Sequence, residues 1–428
     1  MKKWIWLTVV VLVLVGVLPK MARADEVSEL KKQLAELTQR IEQLEARQRL
    51  KEKSLEQEIA RVAEQKAEAV PVLPDNIKWI ENVKISGDLR YRHESIDAES
   101  GGDWDQGHNR NRIRARIGIE ARVNDETDVI FRLASGSADP VSTNQTLADS
   151  FSSKELWLDL AYFDWHPASI KGFNAFGGKM ANPFYRVGKN QLIWDSDLNP
   201  EGLAANYVMP FGENGKLHLN GGGFWVDESS GGVDTSLWGI QGYLKHNFQN
   251  KSYLLGGAGY FDYGNIAGRG DLKNTWNTPW DSTDPSFFGN KATGNTFDSD
   301  FDLIEAFAEY GFNAGSMPVT VYGDYVHNTV AATNEDTGWL IGCKFNKAKE
   351  PGSWEASYDY RDLEADATLG SFSDSDFKGG GTDGKGHRFG FKYQLHKNVQ
   401  AALTYFLNER YSDDQDYRRL QADLIYKF

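Results

Sequence analysis

From Asn109 to Val123 the chain reads NRNRIRARIGIEARV, with arginine at 110, 112, 114, 116 and 122. Isoleucine, alanine and valine occupy 113, 115, 117, 119, 121 and 123. Successive side chains of a strand point to opposite faces, so this spacing puts all five guanidiniums on one side and the apolar groups on the other. Wound as a helix, the same residues would scatter charge all round and leave no apolar stripe to bury. The pattern predicts a strand that divides a wet surface from a dry one. The same period returns to the end of the chain. Val83, Ile85, Leu89 and Tyr91 stand opposite Asp88, Arg90, Arg92 and Glu94, and Trp354, Ala356, Tyr358 and Tyr360 oppose Glu355, Ser357, Asp359 and Arg361. At the terminus Leu420, Ala422, Leu424, Tyr426 and Phe428 alternate with Gln421, Asp423 and Lys427.

Sixteen segments are predicted as strands, near 83–94, 111–123, 127–135, 155–165, 173–180, 202–209, 216–226, 237–248, 252–263, 301–312, 318–327, 338–346, 353–363, 387–395, 399–408 and 418–428. Segments 155–165 and 202–209 alternate least well. Short connections (124–126, 166–172, 249–251, 313–317, 396–398) alternate with long ones (95–110, 136–154, 181–201, 264–300, 364–386). An even strand number with short turns at one end and long loops at the other is the layout of a transmembrane barrel. A soluble sandwich has no reason to sort its loops in this way. The fold class expected is therefore all-β, a 16-stranded antiparallel transmembrane β-barrel over 83–428, preceded by an N-terminal α-helical coiled coil.

Ahead of the strands the period changes. Val27, Leu30, Leu34, Leu37, Ile41 and Leu44 alternate spacings of three and four, a heptad seam set among Lys, Glu, Gln and Arg. This predicts a coiled coil over 25–70 that associates with its own kind, the plainer alternative being one amphipathic helix laid against its own protein. Proline at 71 and 74 opens a linker over 71–82. Residues 1–24 have two lysines, an apolar run over 4–18 and Ala-Arg-Ala at 22–24, which reads as a cleavable signal peptide. The run is shorter than the roughly 20 residues a membrane helix needs.

The formal net charge is −14 and becomes −18 once Lys2, Lys3, Lys20 and Arg23 leave with that peptide. So acidic a chain lacks the basic footprint of a nucleic-acid binder. A single cysteine, Cys343, allows no internal disulfide, and its place on the apolar side of WLIGCKF gives it a lipid-facing position. The acidic stretches DWDQG (103–107), DSDFD (298–302) and SDSD (373–376) miss the EF-hand spacing and are expected as solvated exterior loops. No His-Glu-x-x-His or Cys-x-x-Cys-His occurs. The reading includes no metal, no cofactor and no catalytic residue.

Three stretches carry a family resemblance: AYFDW (161–165), GGKMANPFYRVGKNQLIWDSDLNPEG (177–202) and the terminal LIYKF. The chain resembles the family of Gram-negative outer-membrane porins that joins an N-terminal coiled coil to a barrel. The resemblance implies passive diffusion of small hydrophilic solutes, a homotrimer in outer-membrane lipid and lipopolysaccharide, and a periplasmic coiled coil. It also implies that Leu424, Tyr426 and Phe428 form the signal read by outer-membrane insertion machinery.

In a barrel the polar faces line a lumen. The expected basic wall is Arg90, Arg92, Arg112, Arg114, Arg116, Arg122 and Arg132, with Lys179 nearby. Across from it, Glu305, Glu309, Asp324, Glu355 and Asp359 would form an acidic wall. The loop 181–201 is the candidate constriction, its Trp194, Asp195, Asp197 and Glu201 at the narrowest point and Arg186 close by. Rings of lumen charge set ion preference; the same arginines would otherwise only form salt bridges along the wall. The rival functions are a structural barrel that sheathes an electron-transfer partner or tethers the envelope through its coil, and an outer-membrane hydrolase, for which no nucleophile–base pair is visible.

Overall fold

The computed structural model describes residues 24–68, 75–100, 103–104, 107–148, 150–228, 232–270, 272, 287–412 and 414–428. The signal peptide assigned to 1–24 lies outside these residues save Ala24, as does the Pro-Val-Leu-Pro stretch. Two compact units divide at Lys78. In the first, helix α1 runs Ala24–Glu68 without interruption. Leu34, Leu37, Ile41 and Leu44 of the heptad seam are 51–69% exposed on it; the side chains of Val27 and Leu30 are outside the description. A 3-10 helix, Asp75–Asn82, occupies most of the stretch read as linker.

The second unit is a closed barrel of sixteen antiparallel strands. They are β1 (Val83–Ser100), β2 (His108–Asn124), β3 (Thr127–Ser135), β4 (Leu156–Trp165), β5 (Phe173–Lys179), β6 (Glu201–Phe211), β7 (Gly215–Asp227) and β8 (Thr235–Asn247). There follow β9 (Tyr253–Gly264), β10 (Phe301–Ala314), β11 (Met317–Asn328), β12 (Thr337–Asn346), β13 (Trp354–Leu363), β14 (Gly384–His396), β15 (Val399–Arg410) and β16 (Asp416–Lys427). Each strand pairs with its sequence neighbour, and β16 returns to β1 with Leu89 opposite Tyr426 and Tyr91 opposite Leu424. Gly87 and Phe428 exchange backbone hydrogen bonds of 3.0 and 3.1 Å and seal that seam. Closure leaves no edge strand, which a lipid environment demands.

All sixteen predicted segments are strands. The first hairpin is longer than expected, because β1 continues to Ser100 and β2 begins at His108, so most of the predicted loop 95–110 is paired. The weak alternation of β4 has a physical cause. A bulge between Arg132 and Leu133 sets them opposite Leu160 and Leu158, so one residue of β4 is skipped and the inward and outward positions change places. Outward residues such as Ile85, Ile117, Phe131, Leu203, Ile240 and Ile341 are exposed, and together they form an apolar belt.

The interior departs from the expectation of a polar lumen. On β7 to β13 many inward residues are large and apolar, among them Phe224, Leu237, Leu255, Phe261, Leu303, Phe307, Val326 and Leu340, and all are buried. They pack against Met180, Phe184, Val187, Leu192, Ile193, Trp194 and Leu198, which come from the chain between β5 and β6. One half of the barrel thus encloses a hydrophobic core. Period-two patterning separates inside from outside but does not reveal that an inside face will be covered by a loop.

Candidate functional site: a basic stripe and an inward loop

Strand β5 is only seven residues long and ends at Lys179. From there the chain leaves the wall, crosses the interior over 181–200, and rejoins it at Glu201. Phe184 stacks edge-on against Phe261 with ring centroids 4.8 Å apart, and Trp194 meets Phe261 at 5.2 Å. At 2% exposure, Trp194 is a core anchor of this inward loop and does not stand at a constriction. Gly188 has φ 57° and its backbone lies so close to the wall that a Cβ there would be 2.5 Å from the Tyr322 ring. Glycine alone suits both the conformation and the approach.

The polar contacts of the loop explain where the expected acidic wall went. Glu309 accepts a hydrogen bond from the Gly188 N–H (2.9 Å) and from the Tyr253 hydroxyl (2.6 Å). Asp324 accepts from the Asn190 amide at 2.7 Å, and Glu305 from Gln241 at 2.8 Å. Asp359 pairs with Arg388 at 2.5 Å. All four carboxylates face inward, as the alternation requires, and all four are buried. They hold the loop or brace the wall and present no acidic surface to the lumen. Glu355 is less covered and is neutralised by Lys392 at 2.8 Å. The picture of a basic wall facing an open acidic wall is therefore corrected, since the acidic side lies beneath the loop.

The basic stripe is assembled by β1 and β2. Arg90 pairs across the strands with Arg114, and Arg92 with Arg112. Directly opposed like charges repel, so carboxylates must be threaded among them. Asp88 takes both Arg114 (2.7 Å) and Arg116 (2.8 Å). Glu94, fully buried, takes Arg110 (2.5 Å) and Arg419 of β16 (2.6 Å) and lies 3.8 Å from Arg112. Arg92 binds Asp423 at 2.6 Å. Arg132 stands apart with Asp159 on β3 and β4. Arg122 is outside the cluster, its side chain 64% exposed beside Asp128 near the 124–126 turn. Lys179 and Glu201 are opposed at the ends of β5 and β6 and pair with each other at 2.8 Å. They mark the root of the inward loop rather than its tip.

Two loops reach the stripe. Asp197 of the inward loop lies 3.5 Å from Arg116 and accepts the Thr143 hydroxyl hydrogen bond at 3.1 Å. Asp376, in the loop 364–383, lies 3.3 Å from Arg92 and 2.8 Å from Arg419. Burial alone would raise the Asp376 carboxyl, but Arg419 and Arg92 beside it hold it well below the usual carboxylate range. Asp195 goes the other way. Burial, with Asp197 and Asp374 close by, pushes it well above the ordinary value, although it accepts the backbone N–H groups of Asp197 (2.8 Å) and Ser375 (2.9 Å). Burial also lowers Arg186, which is used inside the loop on the Asn190 and Trp194 carbonyls. The SDSD segment is not a solvated exterior loop. Asp374 is 1% exposed and bound to Arg361 at 2.9 Å, and Asp376 lies on the stripe.

Arg419, Arg361 and Gly188 are among the residues of this arrangement that the reading of the sequence missed. Arg419 shares the inward parity of Gln421 and Asp423, so the alternation already pointed to it. Arg361 also has inward parity, and it ties both loops down by donating to the Gln191 carbonyl, pairing with Asp374 and lying over the Phe377 ring at 4.3 Å. Nothing in the local sequence distinguishes Gly188 from any other turn glycine. Among the described residues no cluster of His, Cys, Asp and Glu is arranged to hold a metal ion.

Comparison with known proteins places this architecture. A family model described as "Putative porin" matches residues 101–300 and 300–428. The chain belongs to that family. Among solved structures, this porin-family barrel is similar to OprB of Pseudomonas putida in its high-pH structure, with TM-score 0.53 and 10% identity over 82% of this chain and 95% of that one. It is also similar to OmpF of Salmonella typhi, solved in complex with daunomycin, with TM-score 0.50 and 11% identity over 81% of this chain and 97% of that one. No curated protein matches it. At such identities the structural likeness establishes the fold. Family and fold together make the chain a porin-like barrel of the outer membrane.

Proposed function

We propose that the protein is a passive, non-enzymatic diffusion channel for small hydrophilic solutes and ions, with a preference for anions set by the stripe on β1 and β2. The observation that carries this reading is the inward loop. It narrows the interior from one side, covers Glu309 of β10 and Asp324 of β11, and brings Asp197 to 3.5 Å from Arg116. Arg110, Arg112, Arg114 and Arg116 stay partly exposed to a solute, whereas Arg90 and Arg92 lie deeper, and arginine cannot lose its charge by deprotonation. Mature residues 25–70 would form a periplasmic coiled coil after removal of the signal peptide. The exposed seam Leu34, Leu37, Ile41 and Leu44 supports its assembly with further copies, a homotrimer in our reading. Exposed Tyr426 and Phe428 at the closing strand fit a terminal signal for the insertion machinery. The apolar belt would contact outer-membrane lipid and lipopolysaccharide.

A second reading, a closed structural barrel, draws on the contacts among the loops. Ser375 donates to the Val141 carbonyl at 3.0 Å, and Asp195 N–H to the Phe372 carbonyl at 2.8 Å. Planar-bilayer recording of the purified mature chain across a KCl gradient separates the two. Repeated conductance steps with a reversal potential toward chloride selectivity are expected. Silence from a folded, heat-modifiable barrel overturns the channel and leaves the scaffold.

A further inference from the structure

The stripe does not balance its own charge. Of eight guanidiniums, those of the β1–β2 stripe together with Arg132 and Arg419, seven meet six carboxylates within ion-pairing distance. The excess is localised. Arg90 has no carboxylate within 4.0 Å among the described residues; its partner is the neutral Asn144 side chain, to which it donates through Nη2. Asp423 and Asp197 act on it only at longer range, and they are already bound to Arg92 and Arg116. Arg112 has only Glu94, at 3.8 Å, and that carboxylate is engaged more closely by Arg110 and Arg419. Arg90 is 8% exposed, and the Nε atoms of both Arg90 and Arg112 are buried without a hydrogen-bond partner.

An unpaired buried charge is costly, and so is each unsatisfied donor. The two groups are also diagonal neighbours. Arg90 lies opposite Arg114 and Arg112 opposite Arg92, so the four stems stand at the corners of a rectangle about 5 Å across the strands and about 6.7 Å along them. Long side chains on stems at that separation can reach one object between them, and flat guanidinium forks suit one with two or more oxygen atoms better than a spherical ion. A guanidinium matches the oxygens of phosphate or carboxylate with paired donors. We propose that Arg90 and Arg112 form an oxyanion-binding subsite in the interior of the barrel, with Asn144 as a neutral neighbour, and that it takes phosphate- or carboxylate-bearing solutes ahead of halide. This names the substrate class for the channel proposed above and rests on that reading.

The test uses the full mature chain. In bilayers, chloride conductance is titrated with inorganic phosphate and, separately, with acetate at constant ionic strength. Saturable block is expected, and Arg90→Gln or Arg112→Gln should raise the half-blocking concentration by about tenfold or more, as for loss of one charge-assisted hydrogen bond. Arg112→Lys should recover only part of it, since an ammonium cannot fork. Calorimetric titration of the detergent-solubilised barrel with the same salts reads binding without conduction. Loss of that binding in heat-modifiable Gln variants supports the subsite even if the bilayer is silent, in which case the channel reading fails alone. Equal block by phosphate and by matched chloride overturns the subsite and leaves the channel standing. So does a half-block unchanged in both Gln variants. Response to phosphate but not acetate narrows the class to tetrahedral anions, and the reverse narrows it to carboxylates.

Discussion

The two sides of the interior are built from the same kind of strand and do opposite things with their charge. On β1 and β2 the inward arginines meet one another across the pair, and loops arrive carrying the carboxylates that hold them, Asp197 and Asp376. On β10, β11 and β13 the inward carboxylates Glu305, Glu309, Asp324 and Asp359 are buried, and Glu309 and Asp324 receive donors from the inward loop itself. The basic side keeps part of its charge at a surface, on Arg110, Arg112, Arg114 and Arg116; the acidic side is a foundation. An inward-facing charge thus acts on a passing solute only where no loop covers it, and the loop in turn settles where its donors find buried acceptors.

The largest effect is expected at Arg361, which serves the foundation from beneath. Arg361→Ala leaves Asp374 buried without its cation, leaves Asp359 to Arg388 alone, and unties both loops from β13. A loss of about 3–5 kcal/mol is expected, seen as a lower temperature for loss of the heat-modifiable band and as larger, noisier conductance steps. The sharpest test of surface against foundation is a matched pair of neutralisations. Arg114→Gln should move the reversal potential measurably away from chloride selectivity, whereas Asp324→Asn should leave it nearly unchanged while lowering stability by about 1–3 kcal/mol. Equal shifts from both would show that the acidic side is open to solute after all.

Acid should separate the loops. The carboxyl of Asp376 is depressed in the folded state, so its stabilising contribution is present at neutral pH and is lost only as pH falls below the ordinary carboxylate range. Asp195 is raised, so its ionised form is a cost at neutral pH that protonation relieves. Mild acidification should therefore first tighten the Asp195 contact, and Asp195→Asn should abolish that part of the pH profile of thermal unfolding. Stronger acid should release Asp376 from Arg92 and Arg419, and Asp376→Asn should imitate it at neutral pH. The smallest effect is expected at the loop root. Lys179 and Glu201 form a partly exposed pair, and Glu201→Gln should cost about 0–1 kcal/mol with little change in conductance.

Most of the barrel was legible in the sequence because a strand in a membrane must alternate, and sixteen strands of such alternation leave few other arrangements. The stripe was legible for the same reason, down to which arginines share a face. Coverage was not. Glu305 and Arg114 have equivalent inward positions in their strands, and only the path of residues 181–200 makes one a buried brace and the other a lumen group. That path depends on contacts between segments far apart in the chain, such as Phe184 with Phe261 and Asn190 with Asp324. The SDSD segment was misread on the same account. Its composition suits water, but its acids are matched to guanidiniums supplied by β1, β13 and β16.

The seam between β1 and β16 sets the order in which the molecule is made. Arg92 and Asp423 bond across 331 positions of chain, and Gly87 waits for Phe428. The first barrel strand to leave the ribosome is thus the one whose second neighbour is synthesised last. Until then it presents a bare row of donors and acceptors, a template for mispairing with any other extended chain. Pairing at such separation is intrinsically slow, so the polypeptide must be kept from its own kind through export and assembly. A chain that stops a few residues early does not yield a smaller cylinder; it yields an open sheet with two unsatisfied rims.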